Sequence, residues 1–522
     1  MKVVLAGYNI DADVIEELKR HAPARRDVTP ETLSAAYARI SRDPRPADVL
    51  RTVARQEVEK ARRSNQAIIF RMGHHSVAEH AVFNFDIIGV SRLALEEIEK
   101  FRLCSYTEKS QRYITLGDDF VIPREITKAG AVDLFVAAVR EQNALYHRLY
   151  ERLRPHIFEK HADLAANPKN HSALDGWAKE DARYAVSLAT EGQVGLTINA
   201  RNLELLVRRF AARRLTELRE LNRKLYDLAR EVAPSIILFT EATDFDSRTY
   251  EEFAEAARAL GHGPMEGEIE SPAAAFRKKT SDESTAAKRA GCRPRDVAVR
   301  LVDFTREADE RILAALLHSS TSDPYDRCLA RVNELGQPEK RALFKSAFRR
   351  MEFYDFPLRE FEYADLTFAA DVSASCFAQL KRHRMATLTA QSYDPALGVS
   401  VPPSFTEIGV ACEFRDLIEK TTETHRHLKE RVGEAADYVL TNAHRRRVLL
   451  KVNVRELYHI SRLREDPTAQ WEIRRLAGRM SALAKEVMPL STLLLGGKNK
   501  YPALYKKLFG RPPKFAPPET LK

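Results

Sequence analysis

The chain of 522 residues has little of what marks membrane and disulfide-rich proteins. No apolar stretch approaches the roughly 20 residues that a bilayer-spanning helix needs. The five cysteines lie far apart without a CxxC pair, which argues against a zinc site and a disulfide framework. Asp11 and Asp13 directly follow the segment Met1–Ile10, unlike the apolar core of a secretory signal. We therefore expect a cytoplasmic protein with no membrane contact.

The composition is that of an ordinary globular protein, with 44% hydrophobic and 30% charged residues. This length predicts two or three domains with substantial cores. The net charge of +10 permits a nucleic-acid partner, a phosphorylated small molecule or a solvated basic surface. Charge alone favours the solvated surface.

The sequence contains an internal repeat. Glu79–Tyr113 and Glu362–Asp394 each begin with Glu and a ring residue, then run through a short strand pattern, Val-Ser and a helical stretch. Each helical stretch ends in a basic cluster followed by a Ser/Thr-rich turn. Two further matches occur in the same order, Asn199 and Arg201 with Asn453 and Arg455, and LSAAYARIS with LAALLHSS. Ordered matches of this kind indicate two diverged copies of one fold.

The repeats define the expected domain organisation, which is of the α+β class. We expect a first repeat over residues 1–240 and a second over 295–510. The intervening residues 241–294 are rich in Gly, Ser, Ala, Glu and Lys and predict a flexible linker. The Pro-rich residues 511–522 predict an extended tail.

The most distinctive cluster is Arg382-His383-Arg384, which Gln379 precedes by one helical turn. Two arginines beside a histidine can clamp a phosphate or an anionic ring. The same cluster is also typical of a basic helix end that complements the helix dipole. An isolated cluster would favour that second interpretation.

The context of the cluster resembles the signature of the flavin-dependent thymidylate synthases. That signature is Arg-His-Arg, two residues, Ser, one residue, Asn, two residues, Ser, one residue and Arg. The second copy retains the first three positions and Ser392, whereas the first copy retains Ser105, Ser110 and Arg112. GHHSVAEH and the segment from Asn453 also resemble family segments. The resemblance implies two tandem family-type domains forming a pseudo-dimer.

What each copy has lost, the other has kept. The resemblance implies a nucleotide held between two subunits, one giving Gln, Arg and a late Arg, and the other giving Glu-x-Ser-x-Arg and an early Arg. The second copy retains the first set, which is Gln379, Arg382 and Arg464. The first copy retains the second set, which is Glu108, Ser110, Gln111, Arg112 and Arg183. We therefore predict one composite site between the two copies.

The reciprocal arrangement would be built from residues of the wrong kind, which are Glu97, Lys100, Phe210, Asp394 and Asp437. Because an acidic pair would repel a phosphate, we expect this position to bind no nucleotide.

The resemblance also implies roles. Arg112, Arg183 and Ser110 would bind the phosphate, and Arg464 would stabilise charge on the pyrimidine ring. A flavin would be held by Ser76, His383, Arg384, Asn453 and Arg455. Asn453 is equally typical of a helix cap, and single arginines are typical of salt bridges. The spacing of His74, His75 and His80 fits no zinc motif, so no metal is expected.

The activity implied by the resemblance is reductive methylation of dUMP to dTMP. FAD would be the cofactor, methylenetetrahydrofolate the carbon donor and NADPH the reductant. Two alternatives stay open: a related flavoenzyme acting on another pyrimidine nucleotide or on uracil in nucleic acid, and a binding protein that has lost catalysis. The family's four-domain assembly implies a homodimer of this chain.

Overall fold

The structure is a computed structural model that describes residues 1–10, 14, 17, 29–40, 43–71, 74–260 and 299–517. The strands of the first repeat are β1 (Lys2–Tyr8), β2 (Val82–Ser91), β3 (Cys104–Glu108) and β4 (Glu191–Asn199). Its helices are α1 (Glu31–Arg39), α2 (Ala47–Gln56), α3 (Val58–Asn65), α4 (Arg92–Ile98), α5 (Arg124–Lys128), α6 (Val132–Lys160), α7 (Ala162–Ala165), α8 (His171–Ala182), α9 (Ala200–Ala211) and α10 (Thr216–Val232).

Two short helices, α11 (Asp244–Ser247) and α12 (Thr249–Ala259), follow the first repeat. The strands of the second repeat are β5 (Val299–Phe304), β6 (Asp365–Ser373), β7 (Thr387–Ala390) and β8 (Arg445–Asn453). Its helices are α13 (Ala308–Ser320), α14 (Tyr325–Glu334), α15 (Gln337–Phe348), α16 (Ala374–Leu380), α17 (Pro403–Glu407), α18 (Ala411–Val432), α19 (Val454–Arg464), α20 (Trp471–Val487) and α21 (Tyr501–Phe509).

Both repeats build the same antiparallel sheet. The strand orders are β1-β2-β4-β3 and β5-β6-β8-β7. The registers also correspond, because Asn199 pairs with Val82 in one sheet and Asn453 pairs with Asp365 in the other. Alternate residues of β6, such as Leu366 and Phe368, are buried against the helices, as one covered sheet face requires. The predicted α+β class and the tandem repeat are thus confirmed.

The Val-Ser pair that the sequence shows in both copies starts a helix in each. Ser91 Oγ accepts a hydrogen bond from the backbone N–H of Ala94, and Ser373 Oγ accepts one from that of Cys376. Such an N-cap satisfies one of the open donors of the first turn. Because each strand ends at its capping serine, α4 and α16 leave the two sheets at equivalent points.

The repeats share a buried interface with approximate two-fold symmetry. The hydroxyl of Tyr184 donates to Glu472 Oε2 at 2.7 Å, and the hydroxyl of Tyr438 donates to Glu217 Oε2 at 2.7 Å. Each glutamate also accepts from the capping serine of its own repeat. Backbone bonds cross the interface as well, since the N–H of Leu188 donates to the carbonyl of Leu440 at 2.7 Å. The pseudo-dimer is therefore a single packed body.

The start of the segment predicted as a flexible linker is helical, which differs from the sequence-based expectation. Thr243 and Asp246 form a reciprocal capping box at the start of α11, and α12 follows at once. These local caps fix a helix in a segment whose overall composition suggested none. The rest of that segment, residues 261–294, lies outside the described residues. None of the helices described here is long and apolar enough to cross a membrane.

Candidate functional site

A cavity of about 290 Å³ lies where α16 of the second repeat meets the turn after β3 of the first. All eight residues that the sequence assigns to the catalytic and substrate-binding groups line it: Glu108, Ser110, Gln111, Arg112, Arg183, Gln379, Arg382 and Arg464. Four further residues complete the wall: Arg92, Lys109, Tyr113 and Ala378. We call this space the composite cavity, because neither repeat encloses it alone.

Among the described residues, Arg183 and Gln379 of the cavity wall each have two buried polar atoms without a hydrogen-bond partner. Arg183 Nε and Nη2, and Gln379 Oε1 and Nε2, make no hydrogen bond to any described residue. Burial lowers the pKa of Arg183 from its ordinary value, and the nearby Arg112 and Arg92 lower it further, against the opposing effect of Glu180. An uncompensated buried guanidinium is costly. Its open N–H groups are therefore ready donors for an anion.

Arg112 is oriented from both repeats. Its guanidinium forms an ion pair with the buried Glu180 through Nε, and Nη2 donates to the carbonyl of Thr468 at 3.0 Å. Ser110 Oγ accepts from the backbone N–H of Arg112 at 3.1 Å, which tightens the turn. The guanidinium is thus fixed beside the cavity before any ligand arrives.

Glu108 ties the two repeats together at the cavity wall. It forms ion pairs with Arg92 of its own repeat and, at 2.7 Å from Oε2 to Nη2, with Arg382 of the other. Burial alone would raise the pKa of Glu108, but Arg92, Lys381 and Arg382 lower it to about 2. The carboxylate is therefore ionised at neutral pH and positions Arg382 at the cavity.

Arg464 is held in place by two acceptors. Its Nε donates to His383 Nε2 at 2.9 Å, and its Nη2 donates to the carbonyl of Gln379 at 3.2 Å. Burial lowers the pKa of Arg464 to about 10, with further contributions from Arg382 and Arg112. Arg464 still carries its positive charge at neutral pH, next to the partner-free amide of Gln379.

The five residues that the resemblance assigns to flavin do not line one cavity. Asn453 Oδ1 caps α19 by accepting from the N–H of Glu456 at 2.8 Å, and Arg455 pairs with Glu362 at 3.1 Å. His383 is buried behind Arg464. Ser76 and Arg384 are exposed.

These positions answer the alternatives that the sequence left open. Asn453 serves as the helix cap and Arg455 as the salt bridge that such residues typically form. Three of the five residues make contacts within the chain, and their assignment to a flavin stays a prediction. The proposal for flavin therefore rests on family membership and not on these contacts.

Within the described ranges, one group could offer three ligands to a metal: His383, Glu456 and His459, whose ligand atoms lie within 4.8 Å of one another. The bond from Arg464 occupies His383 Nε2, so the neutral ring carries its proton on Nδ1. That nitrogen lies 3.5 Å from Glu456 Oε1, and while it carries the proton its lone pair cannot bind a metal ion. The positively charged Arg464 beside the group opposes the binding of a cation there.

The reciprocal position is closed by its own side chains. Tyr393, which corresponds to Gln111, donates from its hydroxyl to Glu96 at 2.8 and 2.9 Å. Arg446 lies over the Tyr393 ring with 4.4 Å to its centroid and pairs with Glu96 at 3.2 Å. Tyr393 and Glu96, at the positions equivalent to the wall residues Gln111 and Ala378, are thus bonded to each other.

The acidic pair does not act as the sequence suggested. Asp437 contacts His425 at 2.9 Å and forms an ion pair with Lys429 at 3.3 Å, and Asp394 caps a short turn by accepting from the N–H of Ala396. Asp437 is thus engaged in ion pairs and Asp394 in a backbone cap. That this position binds no nucleotide stays a prediction, and its side chains are paired within the chain.

Sequence reasoning missed Arg92, whose buried guanidinium lines the composite cavity. The signal was present, because Arg92 follows the matched Val-Ser pair directly, and the corresponding residue of the other copy is Ala374. A charged residue opposite an alanine in aligned copies indicates an asymmetric role. Glu180 was missed because its partner, Arg112, is 68 positions distant in the chain and the spacing carries no pattern.

The fold and the cavity define a two-repeat protein with an arginine-lined space between its repeats. The model of the thymidylate synthase complementing protein family matches residues 26–235 and 300–490. The chain belongs to this family, and each repeat is one copy of the family domain.

Relatives of two kinds match. UPF0159 protein Ta1429 of Thermoplasma acidophilum is 24% identical over 500 residues, spanning 88% of this chain and 92% of the relative. The flavin-dependent thymidylate synthase of Geobacter sulfurreducens is 34% identical over 170 residues, spanning 32% of this chain and 65% of the relative. A solved UMP/dUMP methylase, PolB from Streptomyces cacaoi bound with 5-Br dUMP, is 19% identical with a TM-score of 0.31, over 38% of this chain and 93% of its own.

Proposed function

We propose that the composite cavity binds a pyrimidine nucleotide and that the protein methylates the uracil ring, converting dUMP to dTMP. One observation carries this proposal: the eight residues that the two repeats retain in complementary sets surround one cavity of about 290 Å³. Relatives named flavin-dependent thymidylate synthases support the reaction class.

The phosphate would bind at the Arg183 end of the cavity. Arg183 offers two N–H groups without a partner among the described residues, and Arg112 is held nearby by Glu180 and Thr468. Charge-assisted hydrogen bonds to a phosphate would give these N–H groups of the buried guanidinium their acceptors. The bound anion would also offset the repulsion among the neighbouring arginines.

The pyrimidine ring would lie against Gln379 and Arg464. The amide of Gln379 has both a donor and an acceptor without a partner in the described structure, which suits the alternating donors and acceptors of a uracil edge. Arg464 carries a positive charge whose direction is fixed by His383 and the Gln379 carbonyl. A preorganised cation stabilises negative charge that develops on the ring during substitution.

The cofactors follow from the family. A flavin would supply the redox chemistry of reductive methylation, with methylenetetrahydrofolate as carbon donor and NADPH as reductant. No residue of the composite cavity is assigned to the flavin, because the five residues named for it lie outside the cavity lining. The chain's own part is to bind the nucleotide, orient its ring and place Arg464.

The test is rescue of a thymidine auxotroph by the full chain, combined with turnover of dUMP by the purified protein. Arg112→Ala and Arg464→Ala are expected to abolish rescue, since each removes a cation from the cavity wall. Asp394→Asn and Asp437→Asn are matched controls at the reciprocal position and are expected to leave rescue intact. Failure of the wild type to rescue or turn over dUMP would contradict the thymidylate reaction.

A second candidate is a nucleotide-binding protein without flavin turnover. It is favoured by the burial of His383 and by the structural bonds of Asn453 and Arg455. The visible absorbance of the purified protein, before and after incubation with FAD, separates the two. A colourless protein that binds dUMP but takes up no FAD would support the second candidate.

A further inference from the structure

A second cavity lies directly behind Arg112. It has a volume of about 170 Å³ and is lined by Trp177 and Asp181 of α8, Trp471 and Arg474 of α20, and Pro467 and Ala469 of the preceding loop. Both tryptophans of the chain therefore face the same space. We call it the tryptophan cavity.

The cavity presents aromatic rings together with a buried hydrogen-bond donor that has no acceptor among the described residues. Trp471 Nε1 is a buried donor without a partner in the described structure. Trp471 is held by stacking on Tyr184 at 5.8 Å between ring centroids, and Trp177 by an edge contact with His161 at 5.0 Å. A buried indole N–H normally finds an acceptor. An acceptor on a flat ligand would supply it.

Asp181 adds a second polar group to the wall. Its Oδ2 accepts from Ser404 Oγ at 2.6 Å. Burial raises the pKa of Asp181 to about 7. Near neutral pH its carboxyl can therefore act either as a donor or as an acceptor toward a ring nitrogen or carbonyl.

The pseudo-symmetry of the fold supplies an internal comparison. Counting from the paired Arg183 and Asp437, the position of Trp177 is occupied by Arg431 in the other copy, and that of Asp181 by Ala435. Counting from Glu472 and Glu217, Trp471 corresponds to Thr216. The aromatic and acidic lining thus occurs beside the composite cavity and is replaced beside the closed reciprocal position. General packing of the fold does not require it.

The tryptophan cavity shares its wall with the groups that hold Arg112. Glu180 lines it and forms the ion pair with Arg112. Pro467 and Ala469 line it, while the carbonyl of Thr468 between them accepts from Arg112. A ligand in the tryptophan cavity would therefore contact both supports of this arginine.

We propose that the tryptophan cavity binds a flat nitrogen heterocycle of nucleobase size, stacked on Trp177 or Trp471 with an acceptor on the Trp471 indole N–H. The proposal of a binding site depends only on the residues that line the tryptophan cavity. Its effect on the nucleotide rests on the function proposed above: occupancy changes nucleotide affinity through Glu180, Thr468 and Arg112.

Tryptophan fluorescence of the full chain tests the binding directly, because its whole tryptophan signal comes from this cavity. Thymine and adenine are the probes, titrated to about 1 mM with saturating dUMP present. We expect a saturable change with at least one probe. Toluene, a ring without an acceptor, is expected to bind more weakly to the unmodified protein.

Paired variants separate stacking from hydrogen bonding. Trp471→Phe keeps a ring but removes the donor and is expected to weaken binding about fivefold, read from the remaining Trp177. Trp177→Phe is the matched control, since it keeps both a ring and the Trp471 donor, and a smaller loss is expected. Equal affinity of thymine and toluene on the wild type, or an unchanged affinity in Trp471→Phe, would overturn the assigned contact.

Two further outcomes would overturn the proposal itself. One is the absence of any saturable signal with both probes. The other is competition, in which dUMP displaces the probe and Arg183→Gln abolishes probe binding, because the probe would then occupy the composite cavity.

Coupling is measured as the ratio of dUMP dissociation constants with and without the bound probe. We expect a change of about threefold or more, and the same factor when the order of addition is reversed. Probe binding without any such change would refute the coupling while leaving the site in place. Failure of dUMP itself to bind would instead contradict the proposed function, which the probe titration without dUMP distinguishes.

Discussion

Replacing Arg183 with glutamine probes the buried cation of the composite cavity. In the nucleotide-free protein this guanidinium is 6% exposed, and two of its nitrogens have no partner among the described residues. Its pKa is lowered by burial and by Arg112 and Arg92, which means that the charged form is destabilised where it lies. Glutamine keeps much of the length and removes the charge. The variant is therefore expected to keep or raise the stability of the nucleotide-free protein and to weaken the binding of the nucleotide.

The magnitudes follow from these contacts. Loss of charge-assisted hydrogen bonds to a phosphate costs about 3 kcal/mol, or roughly 100-fold in the dissociation constant. The nucleotide-free protein loses a buried charge that Glu180 offsets only in part, so its stability is expected to stay the same or to rise by up to about 1 kcal/mol.

The assay is thermal unfolding of wild type and variant with and without dUMP. At about 100 times the dissociation constant, the nucleotide should stabilise the wild type by about 2.7 kcal/mol, and the variant far less at the same concentration. Arg201→Gln is the matched control, since Arg201 forms an exposed pair with Glu79 at 2.5 Å and is expected to change stability by less than about 0.5 kcal/mol. A strongly destabilised nucleotide-free variant that binds dUMP normally would refute the reasoning.

Three other predictions follow from the interface and from buried titratable groups. Tyr184→Phe and Tyr438→Phe each remove one of the symmetric bonds to a buried glutamate and should lower the unfolding free energy by about 1–2 kcal/mol, measured by denaturant titration; a change in only one would show that the interface is not symmetric. The pKa values of His383 and His444 are both lowered to about 3, chiefly by burial, so the unfolded chain takes up these protons first; each should cost about 2 kcal/mol of stability between about pH 6.5 and pH 5, and His383→Gln should remove one of the two contributions from unfolding curves. Asp437→Asn should leave dUMP affinity unchanged by calorimetry, because this carboxylate pairs with His425 away from the composite cavity, and a loss of affinity would count against the assignment.

Comparison of the two copies carried most of the information about the site. Each loss, such as Phe210 where the other copy has Arg464, could be read from aligned positions without a structure. The same comparison could not reveal Glu180 or Thr468, because these residues act by approaching Arg112 across the repeat interface. Their spacing in the chain has no period and no motif.

The residues assigned to the flavin show what a family motif leaves undetermined, which is the direction of a side chain. His383 keeps the family residue type, but the structure turns it toward Arg464 and Glu456. A motif specifies which side chain is present and where it lies on the helix, whereas its direction depends on neighbours from other elements. The helices at 244–259 were missed for a related reason, since local capping by Thr243 and Asp246 outweighed the average composition of the segment.

The stoichiometry of dUMP binding tests the central claim most directly. Calorimetric titration of the full chain is expected to show one nucleotide per chain, lost in both Arg112→Ala and Arg464→Ala although these residues belong to different repeats. Two nucleotides per chain, or binding that survives either substitution at full affinity, would contradict a single composite site.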